Sequence, residues 1–247
     1  IKKVCAWIYR KCDLIVDTSP CQRDRLKTYI ATARHATCTP WAVVEPPAPV
    51  SVDDTERKAL FGDTNLALIY SGNIGRAHHF DLILELARRL RDTGASMAFA
   101  VRGNGIPALK QAVLDTDTHI RFGEFVSQDR LEKRLSAADI HLLSLRPEWT
   151  GTLVPSKFFG AIAVGRPVIF LGSPKSGIAQ WTEAYGLGWV LTPETIDRVT
   201  REVAQLPNDP AAAAALRERC FRTYHEHFSR KSVMDNWDRE LRAVVQS

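Results

Sequence analysis

Residues 66–80 read LALIYSGNIGRAHHF, and this stretch decides the fold class. It opens with an apolar run, residues 66–71, which is typical of a buried strand. A glycine-containing turn follows, and residues 80–90 then place apolar side chains at three- and four-residue spacing, the pattern of an amphipathic helix. Strand, turn and helix in this order predict a βα unit.

The same pattern recurs along the chain. Five further apolar runs follow, at Met97–Val101, His119–Phe122, Asp139–Leu143, Pro167–Leu171 and Gly188–Leu191. Successive runs begin 20 to 31 residues apart, which fits parallel strands joined by crossover helices. Because the runs are almost entirely apolar, we expect both faces of the sheet to be covered. The prediction is an α/β fold, a doubly wound, Rossmann-like parallel sheet with flanking helices over residues 61–210.

The two ends of the chain have other patterns. Residues 1–40 predict two helices and a strand at Leu14–Val16, too little for a domain, and we interpret them as the tail of one. Residues 41–60 contain a proline-rich stretch and predict a linker. Residues 211–247 predict C-terminal helices, which we expect to pack on the first 40 residues. The last helix has an apolar stripe made of Val233, Trp237, Leu241 and Val244.

Composition and charge exclude several function classes. Hydrophobic residues make up 45% and charged residues 25%, as in ordinary globular proteins, and no apolar run is long enough to cross a bilayer. The formal net charge is +5, concentrated in residues 1–30. This excess indicates either a solvated helix face or attraction to an anionic surface. Basic and aromatic residues are not interleaved elsewhere, which argues against nucleic-acid binding.

The five cysteines indicate a reducing compartment. Their number is odd and no pair has the spacing of a zinc site, so we expect free thiols, no metal and a cytoplasmic location.

The turn after the first run is the first candidate for a binding site, because doubly wound sheets bind ligands beyond the carboxyl ends of their strands. Gly72, Asn73 and Gly75 would let a ligand approach the backbone closely. Arg76 and His78 offer donors suited to phosphate. Surface ion pairing of Arg76 is the alternative interpretation.

The turns after the second and third runs add further candidates. The second turn consists of Arg102, Gly103, Asn104 and Gly105. It matches the dinucleotide-binding fingerprint only weakly, because Pro107 follows it and because it belongs to the second βα unit instead of the first. We therefore interpret this turn as a wall of a shared ligand cleft. After the third run, Phe125 and Val126 would flank a flat base, unless Phe125 is a core aromatic.

The loop after the fourth run has the most informative pattern. Its candidate residues are Thr152, Leu153, Val154, Pro155, Ser156, Lys157 and Gly160. Lys157 falls in the first turn of a predicted helix, where a cation is unfavourable unless an anion binds beside it. A mid-helix glycine at 160 costs about 1 kcal/mol relative to alanine, which indicates close approach of a ligand or, alternatively, tight packing. No nucleophile motif or Walker loop is present, so the pattern favours binding of a diphosphate leaving group.

At these residues the sequence resembles the group-1 glycosyltransferases, which use nucleotide-diphosphate sugars and have the two-domain GT-B fold. The most specific piece is residues 154–168, VPSKFFGAIAVGRPV, which is similar to the donor-site helix of bacterial polysaccharide and O-antigen transferases. Residues 71–76, 101–105, 122–126 and 137–140 resemble the family's glycine turns and strands. The resemblance implies a C-terminal donor-binding domain and a remnant of the N-terminal acceptor domain, about 150 residues of which would precede Ile1.

The resemblance also implies an activity. It is transfer of a sugar, with retention, from a nucleotide-diphosphate sugar to a glycan or lipid-linked acceptor in bacterial polysaccharide or cell-envelope synthesis. Arg76, His78 and Lys157 would be the catalytic residues, and the other candidates named above would bind the donor, which is a substrate and not a cofactor. The protein would be cytoplasmic, with peripheral association at the inner face of the membrane, and this chain could be inactive alone.

Two departures from the family leave alternatives open. His78 stands where many members have lysine, and the paired glutamates of the donor site would fall on Thr152 and Gly160. A carboxylate therefore cannot bind ribose from position 160. The alternatives are a nucleotide-sugar epimerase of the same architecture, which needs no acceptor, and a non-catalytic nucleotide-sugar binding module, which the missing glutamates favour.

Overall fold

A six-stranded, fully parallel sheet forms the centre of the molecule. The computed structural model describes residues 2–27, 29 and 34–246. The strands are β1 (Leu14–Asp17), β2 (Arg34–Thr37), β3 (Leu66–Asn73), β4 (Ala95–Arg102), β5 (Ile120–Phe122), β6 (Ile140–Ser144), β7 (Val168–Leu171) and β8 (Gly188–Leu191). The large sheet has the order β5-β4-β3-β6-β7-β8. All six predicted runs form these strands, each beginning within two residues of its predicted start, so the predicted doubly wound fold is confirmed.

Helices cover both faces of this sheet. They are α1 (Lys2–Tyr9), α2 (Pro20–Lys27), α3 (Asp54–Phe61), α4 (Asp81–Arg89), α5 (Ile106–Ala112), α6 (Leu131–Ser136), α7 (Lys157–Ala163), α8 (Gly177–Tyr185), α9 (Ile196–Gln205), α10 (Pro210–Thr223) and α11 (Arg230–Val245). A π-helical turn, Tyr224–Phe228, joins the last two. Within the described ranges, no helix has both the length and the apolarity needed to cross a bilayer.

The core lies in layers on the two sides of the sheet. All residues of β6 are buried, and its adjacent leucines, Leu142 and Leu143, belong to different hydrophobic clusters because neighbouring side chains of a strand point to opposite faces. One layer contains Tyr70 and Phe99, and the other contains Phe158 of α7. This two-sided burial is the physical reason for the uninterrupted apolar runs.

The predicted linker is shorter than expected. Residues 41–60 were predicted to be linker, but α3 occupies the last part of that range. The side chain of Asp53 caps this helix by accepting a hydrogen bond from the backbone N–H of Glu56 (2.9 Å). An acidic residue followed three positions later by glutamate is a helix-start signal, and it was overlooked beside the prolines.

The N-terminal segment forms a small parallel sheet that contacts the C-terminal helix. Strand β1 pairs with β2, which the sequence analysis did not predict. Asn236 of α11 donates to the carbonyl of Thr37 (2.9 Å), and Glu240 pairs with Arg34 (2.9 Å). The two ends therefore meet as expected, but through polar groups. The apolar stripe of α11 is only partly covered, since Leu241 is 51% exposed.

Candidate functional site

A cleft of about 430 Å³ opens beyond the carboxyl ends of β3 and β6. Its volume lies in the usual range for small-molecule sites. Four parts of the chain form its walls: the end of β3, the loop leading into α7 with that helix, helix α6 with the loop before it, and the linker. The predicted site residues that line it are Gly72, Asn73, His78, Phe125, Leu153, Val154, Pro155, Ser156, Lys157 and Gly160. The fold thus gathers residues from three of the predicted turns into one site.

Lys157 is the cation of this cleft. It is the first residue of α7, and its Nζ donates to the backbone carbonyl of Asn73 (2.8 Å) and lies 4.0 Å from the centroid of the Tyr70 ring. Within the described part of the chain, no carboxylate pairs with it. Burial lowers the pKa of Lys157 to about 7. An anion bound in the cleft would therefore lie beside an amine that readily takes up a proton.

The first glycine turn brings the backbone against Lys157. Gly72 has φ +108°, in the left-handed region that favours glycine, and a Cβ placed on it would lie 3.5 Å from Cε of Lys157. The backbone N–H of Gly75 donates to Nδ1 of His78 (3.1 Å). Burial and the nearby Lys157 lower the pKa of His78 to about 4. His78 therefore lines the cleft as a neutral imidazole.

Arg76 lies outside the cleft. It is exposed, and no hydrogen bond or ion pair to it is found among the described residues. Helix α4 begins only at Asp81, so Arg76 lies in the turn before the helix and not at its N-terminus. Its contact with a diphosphate stays a prediction.

The second glycine turn supports the first and does not line the cleft. Arg102, Gly103, Asn104 and Gly105 are all absent from its walls. Gly103 has φ +116°, and a Cβ there would lie 2.4 Å from the carbonyl oxygen of Ile74. Gly105 donates to that same carbonyl (3.1 Å). Glycine is therefore required at 103 for packing between the two turns.

Phe125 faces the cleft, whereas its neighbour does not. The Phe125 side chain is 47% exposed, so the alternative of a core aromatic is wrong. The guanidinium carbon of Arg102 lies 4.3 Å from the centroid of its ring. Val126 is absent from the cleft walls and lines a second cavity beside Arg130, which Phe125 also borders. Thr152 also lies elsewhere, in a cavity between α1, α2 and the loop that contains Gly151.

Gly160 lines the cleft from the middle of α7. A Cβ placed on it would lie 3.4 Å from Cδ1 of Leu135, an ordinary contact. Close packing therefore does not require glycine here, which favours ligand approach as its reason.

Several residues of the cleft were missed by the sequence analysis. They are Trp41, Val43 and Val44 of the linker, Ser71 of β3, and Leu131 and Leu135 of α6. The linker is held in place by the hydroxyl of Tyr224, which accepts a hydrogen bond from the backbone N–H of Ala42 (2.9 Å). No local sequence pattern signals a contact across so many residues.

Comparison with known proteins supports the resemblance on which the prediction rests. No family model matches the chain. The colanic acid biosynthesis glycosyl transferase WcaI of Escherichia coli K12 is 25% identical over 177 residues, covering 70% of this chain and 44% of that protein. The glycosyltransferase WbjE of Pseudomonas aeruginosa is 27% identical over 149 residues, covering 60% of this chain and 34% of that protein. The chain is similar to bacterial polysaccharide glycosyltransferases.

A solved structure confirms the fold of this glycosyltransferase-like chain. The crystal structure of HepE from Anabaena, in complex with UDP and glucose, superposes with a TM-score of 0.71 and 13% identity. It covers 100% of this chain and 66% of HepE. The predicted Rossmann-like α/β fold is thereby confirmed. The chain spans less than half the length of the curated relatives it matches.

Proposed function

We propose that this chain is the donor-binding half of a glycosyltransferase. The whole protein transfers a sugar from a nucleoside-diphosphate sugar to a glycan or lipid-linked acceptor, with retention, in bacterial polysaccharide or cell-envelope synthesis. The observation that carries the proposal is Lys157, whose amine has no carboxylate partner in the described structure and faces a cleft at the carboxyl edge of a parallel sheet. The names of both curated relatives favour a transferase over an epimerase.

The chain's own residues suit a diphosphate leaving group. The protonated amine of Lys157 stabilises negative charge that develops on the phosphate as the glycosidic bond breaks. Gly72, which carries no side chain, lets a phosphate oxygen approach that amine closely. Arg76 on the adjoining turn is exposed and free to close on the phosphates from outside. His78, being neutral, supplies a hydrogen bond and not a charge.

The proposal extends to acceptor binding and to association with the membrane. Strands β1 and β2 alone are too small a sheet for a domain, so we expect acceptor binding by further residues of a longer protein. The basic excess of residues 1–30 favours peripheral association with the inner face of the cytoplasmic membrane. Sedimentation of the full-length protein with anionic vesicles at low salt tests this. Protein that stays in the supernatant would contradict it.

Calorimetric titration with UDP, GDP, ADP and CDP tests donor binding. At least one should bind, and Lys157→Ala should weaken that binding by about 1.5–3 kcal/mol, the range for hydrogen bonds to charged groups. Lys175→Ala, at an exposed lysine outside the cleft, is the matched control and should bind as the wild type does. If none of the four nucleotides binds, the proposed function is wrong.

A further inference from the structure

Two landmarks set the direction of a nucleotide in the cleft. Lys157 marks the diphosphate, and the exposed ring of Phe125 offers a face for the base. Gly160 is three residues beyond Lys157 on α7, so it lies on the same helix face about 5–6 Å away. Leu135 contacts position 160, and Leu131 is one turn before it on α6, the helix that follows Phe125. A nucleotide with its diphosphate at Lys157 and its base at Phe125 would have its sugar ring between them, over Gly160 and the two leucines.

This middle part of the cleft is apolar. Apart from Lys157 and the indole of Trp41, the polar side chains among the described cleft residues come from the end of β3, the turn after it and the loop just before Lys157: Ser71, Asn73, His78 and Ser156. A Cβ placed at Gly160 would meet Leu135, and Leu131 of the same helix α6 also lines the cleft. None of the described residues that line the cleft is an aspartate or glutamate.

The missing carboxylate has a consequence for specificity. Sites that recognise the 2′-hydroxyl of a ribose commonly hold it with an aspartate or glutamate. A site with a polar group for a hydroxyl strongly rejects the analogue that lacks it, because its own group is then buried unpaired. An apolar wall has no group to leave unpaired and so cannot reject the deoxy analogue.

We infer that this cleft does not recognise the 2′-hydroxyl of the donor nucleotide. It takes ribonucleoside and 2′-deoxyribonucleoside diphosphates alike, so its donor class includes deoxynucleotide sugars of the thymidine-diphosphate type. The inference rests on the proposed function, because it assumes that the cleft binds a nucleoside diphosphate.

Calorimetric titration of the chain with matched pairs tests the inference: UDP with dUDP, GDP with dGDP, and ADP with dADP. For whichever base binds, the two dissociation constants should differ by less than fivefold. A preference of fivefold or more for the ribonucleotide would overturn the inference and leave the proposed function standing. Absence of binding by every member of every pair would overturn the proposed function, and this inference with it.

A carboxylate added at position 160 gives the complementary test. Gly160→Glu should create at least tenfold discrimination against the deoxynucleotide, since the new group can accept a hydrogen bond from the 2′-hydroxyl. Gly160→Ala adds only a Cβ in ordinary contact with Leu135, and it should keep the wild-type ratio. A Gly160→Glu protein that binds both nucleotides in the wild-type ratio would overturn the placement of the ribose over this residue.

Discussion

The hydroxyl of Tyr224 donates a hydrogen bond to the carboxylate of Glu45, 179 residues away in the chain. The same hydroxyl accepts from the backbone N–H of Ala42, and Glu45 also accepts from the backbone N–H of Arg230 (2.6 Å). Burial raises the pKa of Tyr224, so the phenol stays protonated as a donor. Because Trp41 lines the cleft beside Ala42, Tyr224 positions one wall of the donor site.

Tyr224→Phe should therefore affect stability and binding together. The change leaves the N–H of Ala42 without its acceptor in a buried setting, which should lower the free energy of unfolding by about 1–3 kcal/mol. Urea denaturation measures this, and nucleotide titration should show weaker binding because the linker wall is less well held. Tyr185→Phe is the control, since Tyr185 stacks on His227 without placing the linker. Equal effects of the two changes on binding would contradict the positioning role.

Nucleotide affinity should fall as pH rises from 7 to 9. Burial lowers the pKa of Lys157 to about 7, so the free protein loses this positive charge across that window. A bound diphosphate favours the protonated form, and binding above pH 7 must therefore take up a proton. Titration in buffers of different ionisation enthalpy measures both the dissociation constant and the proton uptake.

Two variants identify the group responsible for the pH effect. Lys157→Arg remains charged throughout and should bind with little change in affinity between pH 7 and 9. His78→Asn should keep the wild-type pH profile, because the pKa of His78 is lowered to about 4 and the ring is neutral over the whole window. A wild-type affinity that does not change with pH would contradict the role of Lys157.

The two cleft glycines should respond differently to alanine. Gly72→Ala forces a Cβ into a backbone with φ +108°, a conformation that L side chains rarely adopt, and it should cost about 1–3 kcal/mol of stability as well as binding. Gly160→Ala meets only Leu135 at an ordinary distance and should be neutral or slightly stabilising. Thermal melting with a parallel titration compares them. Similar melting temperatures for the two variants would contradict the backbone argument.

The sheet and part of the cleft could be predicted from the sequence because both leave signals in short, continuous stretches of the chain. Burial on both faces makes the strands uninterrupted apolar runs, and Lys157 and Gly160 stand out because each is unfavourable at its place in a helix. Gly103 was misinterpreted because its requirement comes from the carbonyl of Ile74 on another turn. Trp41 was missed because Tyr224, far along the chain, places it. Contacts between distant segments leave no periodic signal.

The buried carboxylate of Asp139 should govern stability without affecting binding. It is only 7% exposed and accepts hydrogen bonds from Arg57 (2.7 Å), Arg217 (2.6 Å) and the backbone N–H of Ala67 (2.9 Å). It thus ties α3 and α10 to the start of β3. Since it precedes β6, it lies at the amino edge of the sheet, opposite the cleft.

Asp139→Ala leaves two guanidinium groups near one another without their shared anion. Removing one partner from a buried ion pair costs about 3–5 kcal/mol, and we expect a loss of that size in urea denaturation. The nucleotide dissociation constant, measured where the variant is folded, should stay within twofold of the wild-type value, because none of the described hydrogen-bond partners of Asp139 lines the cleft. Asp115→Ala, at an exposed carboxylate, should change the free energy of unfolding by less than about 0.5 kcal/mol. A large loss of affinity in folded Asp139→Ala protein would contradict this prediction, because it would mean that the two edges of the sheet are coupled. Equal free energies of unfolding for the Asp139→Ala and Asp115→Ala proteins would mean that the three hydrogen bonds make no net contribution to stability.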